Sequence, residues 1–147
     1  MSGTPSKRVG RAYSIDMQAL DTALYSKLTE GSTTLYGLVG TRVYRGLAPG
    51  DAAMPYVVYN VQAGGYDNET YKDSATVVYQ VKGVAQSGAA AANVDTAIAA
   101  QLHNTGYTVT AWTLVSSMRE NDTGTTELVN GVPVFNAGAL YRIRISK

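Results

Sequence analysis

The sequence predicts an α+β fold: an antiparallel sheet of about four main strands with two long helices packed on one face. Two periodicities and their order carry that expectation. Two stretches repeat apolar residues at spacings of three and four, and several others alternate apolar with polar residues. Strand-like runs come in pairs between the helical stretches, which favours segregated helices over an antiparallel sheet.

Asp16 is placed to cap the first helix, with Ile15 as the residue before the cap. Met17, Leu20, Leu24 and Leu28 build one apolar stripe, and Gly31 supplies the stop. A short second turn, capped by Ser32, buries Leu35, Leu38 and Val39 before Gly40 ends it. Val43-Tyr44 reads as a short extended piece, and Arg45 to Pro55 as a loop punctuated by Gly46, Pro49, Gly50 and Pro55.

A strand is expected over Tyr56 to Ala63, with Val57, Tyr59 and Val61 on one side. Gly64-Gly65 is expected to break it, and Tyr66 to Ser74 reads as a polar hairpin tip. Thr76 to Ala85 returns as a second strand, setting Val77, Tyr79 and Val81 against Val78, Gln80 and Lys82. Ser87 caps the second long helix, roughly Gly88 to His103, whose ridge is Val94, Ile98 and Leu102. Its many alanines keep it thin, so it can lie close to a neighbour. Tyr107 to Met118 reads as a third strand, with Val109, Ala111 and Val115 on one face and Trp112 and Leu114 on the other. Arg119 to Glu127 is expected to be a polar loop, Asn130-Gly131 a tight turn, and about Pro133 to Ile145 the closing strand.

The length of 147 residues favours a single domain, expected over residues 15–147 behind a flexible arm of residues 1–14. That arm is rich in Ser, Gly and Thr and carries Lys7, Arg8 and Arg11 without an acidic partner. Such an arm either stays solvated or orders against a neighbour. Charged residues make up 16% of the chain, leaving much neutral surface for subunit contacts, and the net charge of +1 supplies no general field for nucleic acid. There is no cysteine, so disulfides and thiolate chemistry are excluded. The N-terminal stretch is not a signal peptide, and no apolar run approaches the ~20 residues that span a bilayer. The chain holds 11 Tyr against 1 Phe and 1 Trp. Tyr suits positions with an apolar body and a hydrogen-bonding tip, as in subunit interfaces, and is also a good strand former.

No catalytic constellation is well formed. His103 is the one histidine and falls in the last turn of a helix, where an imidazole meets the helix's negative end. The glycine-rich stretches at Gly46 to Asp51 and Gly64-Gly65 lack the lysine of a phosphate-binding loop. Asp67, Glu69 and Asp73 alternate without the full ligand set of a calcium loop, and Glu120 and Asp122 read the same way. No cofactor or metal is expected. Arg142 and Arg144 share a strand face, with Lys82 near by, but lack the aromatic partners of a single-strand platform. They either pair with acids on an adjacent subunit or are solvated.

The run Leu35-Tyr36-Gly37-Leu38-Val39-Gly40-Thr41-Arg42-Val43-Tyr44, then Ala48-Pro49, then Met54-Pro55-Tyr56-Val57-Val58-Tyr59, resembles the front half of siphophage tail-completion (tail-terminator) proteins. The later layout is also similar, down to the closing Leu140-Tyr141-Arg142-Ile143-Arg144-Ile145, so the likeness covers roughly Met17 to Ile145. The basic arm and the long connection from Arg119 to Asn136 depart from that pattern.

The resemblance implies a non-enzymatic virion protein of the tail or neck, assembled in the host cytoplasm. It would form a hexameric ring that caps the tail-tube protein and faces the head-tail connector or stopper. Genomic DNA would pass through the ring without specific binding, and no membrane is involved. The candidate interface residues are Arg42, Arg45, Tyr66, Tyr71, Arg119, Arg142 and Arg144. The alternatives are a stopper or tail-tube subunit, a small α+β enzyme using Tyr or Arg, and a single-strand binding module.

Overall fold

The computed structural model describes residues 17–66 and 74–147, with the side chains of Met17, Gly65 and Tyr66 left out. The basic arm, the Asp16 cap and the hairpin tip with Asp67, Glu69, Tyr71 and Asp73 lie outside the described residues.

The chain runs α1 (Met17–Leu28), α2 (Thr34–Val39), β1 (Val43–Arg45), β2 (Tyr56–Tyr66), β3 (Ser74–Ala85), α3 (Gly88–Leu102), β4 (Thr113–Val129) and β5 (Val132–Ser146). The expected class holds, but the sheet has five strands in the order β1-β2-β3-β5-β4 and is mixed, and there are three helices among the described residues. The fifth strand is β1. It pairs in parallel with β2, Val43 beside Val57 and Arg45 beside Tyr59, because the loop of residues 46–55 brings the chain back to the same end. The third helix is the short α2, capped by the Thr33 hydroxyl and not by Ser32, and ended by Gly40 at φ 59°.

The helical stripes behave as their spacing requires. Leu20, Leu24 and Leu28 of α1 and Ile98 and Leu102 of α3 are all fully buried, over Val57, Val77, Tyr79, Val81, Tyr141, Ile143 and Ile145 of the sheet. Ser87 caps α3 by accepting a hydrogen bond from the Ala90 amide.

Three strand boundaries differ from the sequence reading, each for a local reason. Gly64-Gly65 does not break β2, which continues to Tyr66. The register shifts between Val61 and Ala63, and a β-carbon on Gly64 would sit 3.3 Å from the Val77 methyls. The glycine permits close strand contact. β4 starts at Thr113, because residues 107–112 form a separate turn in which Val109 bridges Trp112 and Ala111 takes φ 69°. Arg119 to Glu127 is strand and not loop. It lies in a long hairpin, and this outer half of β4 is largely exposed, so apolar alternation never marks it. The Asn130-Gly131 turn is as expected, with φ 53° and 80° joining Val129 to Val132.

Two glycines set how tightly the layers meet. A β-carbon on Gly83 would lie 2.4 Å from a Val94 methyl, so the missing side chain lets α3 settle on β3. On Gly138 it would lie 2.3 Å from the Val81 carbonyl oxygen and 2.6 Å from the Lys82 Cα, where backbone cannot yield. Gly138→Ala should therefore cost about 1–3 kcal/mol, read from urea denaturation midpoints. Gly106, with nothing within 4 Å, is the control: Gly106→Ala should stay within about 0.5 kcal/mol.

Candidate assembly surfaces

Arg42, Arg45, Arg119 and Arg142, singled out in the sequence, all bond to partners inside the chain. Arg42 donates from Nε to the Pro55 carbonyl (3.0 Å) and from Nη2 to the Leu38 carbonyl (3.1 Å), tying the end of α2 to the start of β2. Arg45 forms an ion pair through Nε with Asp21 Oδ2 on α1. The other oxygen of Asp21 accepts the Tyr79 hydroxyl at 2.7 Å, and its backbone carbonyl accepts the Tyr59 hydroxyl at 3.1 Å. One aspartate thus fastens α1 to β1 and β3 through its carboxylate and to β2 through its backbone carbonyl.

Arg119 plays the same part at the other side of the sheet. Its guanidinium meets Asp95 of α3 with two bonds of 2.8 and 2.9 Å, and also reaches Asp122 Oδ1 and the Tyr141 hydroxyl. The bidentate fit holds the Arg119 pKa well above its ordinary value. Arg119 lies opposite Tyr141 on the helical face, and the register shift that follows brings Asp122 onto that same face, opposite Ala139, while Glu120 pairs with Arg142 at 2.7 Å. Arg144 stands opposite Thr76 and Ser116, and Tyr66 closes β2 opposite Ala75.

His103 is the C-cap of α3, and its Nδ1 accepts the Arg119 amide at 3.0 Å. The ring thus joins the end of α3 to β4. Near it the buried Ser117 hydroxyl donates to the Leu102 carbonyl and accepts from Tyr107. Among the described residues no group of three or more His, Asp or Glu side chains is placed to hold a metal ion.

The helices cover one face of the sheet. The other face carries Leu140, Arg142 and Arg144 at one end, and nearer the β4–β5 turn Val58, Lys82, Val84 and Val134, which close against the loop at Gly46 to Ala48 around a hollow of about 260 Å³. Beyond them the hairpin end exposes apolar side chains: Leu128 is 74% exposed, Val129 49% and Val132 50%, with Leu47 at 87% on the facing loop. A second hollow of about 410 Å³ lies between α2 and α3, lined by Thr34, Leu38, Asn93, Thr96, Ala97 and Ala100.

The sequence reading missed the apolar hairpin end and the two aspartates. Leu128-Val129 and Val132 are consecutive or near-consecutive apolar residues around an Asn-Gly turn, so both faces of the hairpin are apolar where no core is near. Asp21 falls four residues after Met17 and three before Leu24, beside the buried stripe, where a carboxylate needs partners.

Asp21→Ala should cost about 1–3 kcal/mol by leaving the buried Tyr79 hydroxyl without an acceptor, and more than Tyr79→Phe, which leaves Asp21 paired to Arg45. Chemical denaturation of the two variants checks the order. Burial, followed by the Asp21 charge, pushes Tyr59 up to about 12, and burial pushes Tyr107 up to about 12 against a lowering by Ser117. Burial likewise raises Tyr79 and Tyr141. Below pH 10 both folded and unfolded chains keep these hydroxyls neutral and stability is whole. Between pH 10 and about 12 only the unfolded chain releases the protons, so stability falls as pH rises. Tyrosinate absorbance should show these four lagging until the chain unfolds.

A comparison with curated proteins finds no match. Among solved structures, a chain from "Virion of native gene transfer agent (GTA) particle" superposes with a TM-score of 0.69 at 22% identity, covering 89% of this chain and 97% of that one. That likeness is one of fold. The family model for "Tail completion protein gp17" matches residues 22–132, most of the sheet and all of α2 and α3. This chain therefore belongs to the tail completion protein gp17 family.

Proposed function

We propose that this chain caps the tail tube as a ring of six copies and forms the surface on which the head connector docks, without catalysing a reaction. Family membership already carries a structural role in a viral tail. The observation that supports the finer reading is the asymmetry of the sheet among the described residues, with helices on one face and none on the other. A ring closed by rotation needs two unlike patches on each subunit. The helical layer and the uncovered sheet face are two such patches.

Arg142 and Arg144 project from the uncovered face and are the proposed contacts to neighbouring rings, with Glu120 holding Arg142 in place. The pairing of Arg119 with Asp95 and of Arg45 with Asp21 gives these arginines an indirect part, keeping β4 and β1 aligned with the helices. Arg42 and Tyr66 remain proposed contacts, as does Tyr71 in the hairpin tip.

Electron microscopy of particles assembled without this protein is the test. Tails of unregulated length are expected. Tails of normal length that fail to join heads would move the role to joining alone, and long filaments grown from the purified chain would reassign it as a tube subunit. Arg142→Glu should reduce joined particles while leaving the isolated chain folded, because the Arg142–Glu120 pair is exposed and solvent screens it.

A further inference from the structure

Resting on the ring reading, we infer that the β4–β5 hairpin end of one copy seats in the hollow between α2 and α3 of the next. The two features are matched in character. The hairpin end, Leu128 to Val134, holds no charged residue, and the hollow is lined by Leu38, three small or hydroxyl residues of α3 and their neighbours, again without charge. Leaving Leu128, Val129 and Val132 in water costs free energy that an apolar cleft relieves, at about 25 cal/mol per Å² covered.

One chain cannot fill its own hollow. Val129 and Val132 form a cross-strand pair on the same face as Glu127 and Val134, the face turned away from the helices, while the hollow belongs to the helical layer. A second copy, rotated so that its helical layer meets this sheet face, satisfies both.

Charge selects the orientation. Glu127 sits at the base of the hairpin end, and its hydrogen-bond partner is a neutral amide, Asn136 Nδ2 at 2.7 Å, steadied by Thr125. Arg42 lies at the rim of the hollow, its Nη2 3.1 Å from the carbonyl of the lining residue Leu38, and its partners are two backbone carbonyls. Among the described residues neither has an oppositely charged partner. Docking the hairpin end into the hollow brings the carboxylate towards the guanidinium, and a like-charge arrangement would oppose the reverse register.

The chain has no cysteine, so single-cysteine variants report this contact cleanly. Val129→Cys and Thr96→Cys copies would be mixed, added to tails lacking the protein, and oxidised. The expected product is the mixed disulfide dimer, with neither variant linking to itself. Glu127→Arg should raise the concentration needed for ring assembly about tenfold. Combining Glu127→Arg with Arg42→Glu in one chain should restore most of it. Because Arg42→Glu also removes the bonds to Pro55 and Leu38, the cysteine pair is the independent readout. Rings that assemble without the mixed disulfide, or with Val129→Cys linked to itself, overturn the contact and leave the ring reading standing. If no ring forms on tails, that reading fails and the contact falls with it.

Discussion

The fold depends on two buried tyrosines at the middle of the sheet and on the aspartate–arginine pairs that flank them. Tyr79 and Tyr141 are register partners on adjacent strands and both are fully buried. A phenol in such a place must find a partner for its hydroxyl. Tyr79 finds Asp21, which α1 supplies; Tyr141 finds Arg119, which Asp95 of α3 holds. Each long helix thus lends one carboxylate, and each edge of the sheet lends one arginine, Arg45 from β1 and Arg119 from β4. The apolar stripes bring helices and sheet together without direction. These polar ties fix where along the sheet each helix rests.

That arrangement also explains the composition. Replacing the tyrosines by phenylalanine would fill the same space and lose the anchors. Four tyrosines, Tyr59, Tyr79, Tyr107 and Tyr141, end on hydrogen-bond partners supplied by other elements, so part of the tyrosine excess serves the interior. Tyr25 and Tyr36, each 41% exposed, remain on the surface.

Much of this was legible in the sequence because it is local. Leu20, Leu24 and Leu28 announced α1, Ser87 announced the start of α3, and Asn130-Gly131 announced the hairpin. What stayed hidden is long-range or lacks periodicity. The partner of Arg119 lies 24 residues away on a helix, as does that of Arg45, and no spacing rule couples them. The outer half of β4 is largely exposed, so only its threonines, good strand formers, hinted at extended backbone. The membership of β1 in the sheet rests on three residues.

The register shifts of β4 have a bearing on the protein before it meets a tail. This strand is an outer edge of the sheet, and near its middle its outer row is held from within the chain, where His103 Nδ1 accepts the Arg119 amide and the Asn104 amide donates to the Ser117 carbonyl. A straight edge of this length would be a template on which further chains could stack into fibrils. The shifts at Val115 and at Glu120-Asn121 bend it twice. Along β4 a free chain therefore offers a kinked edge, on which a second strand pairs poorly.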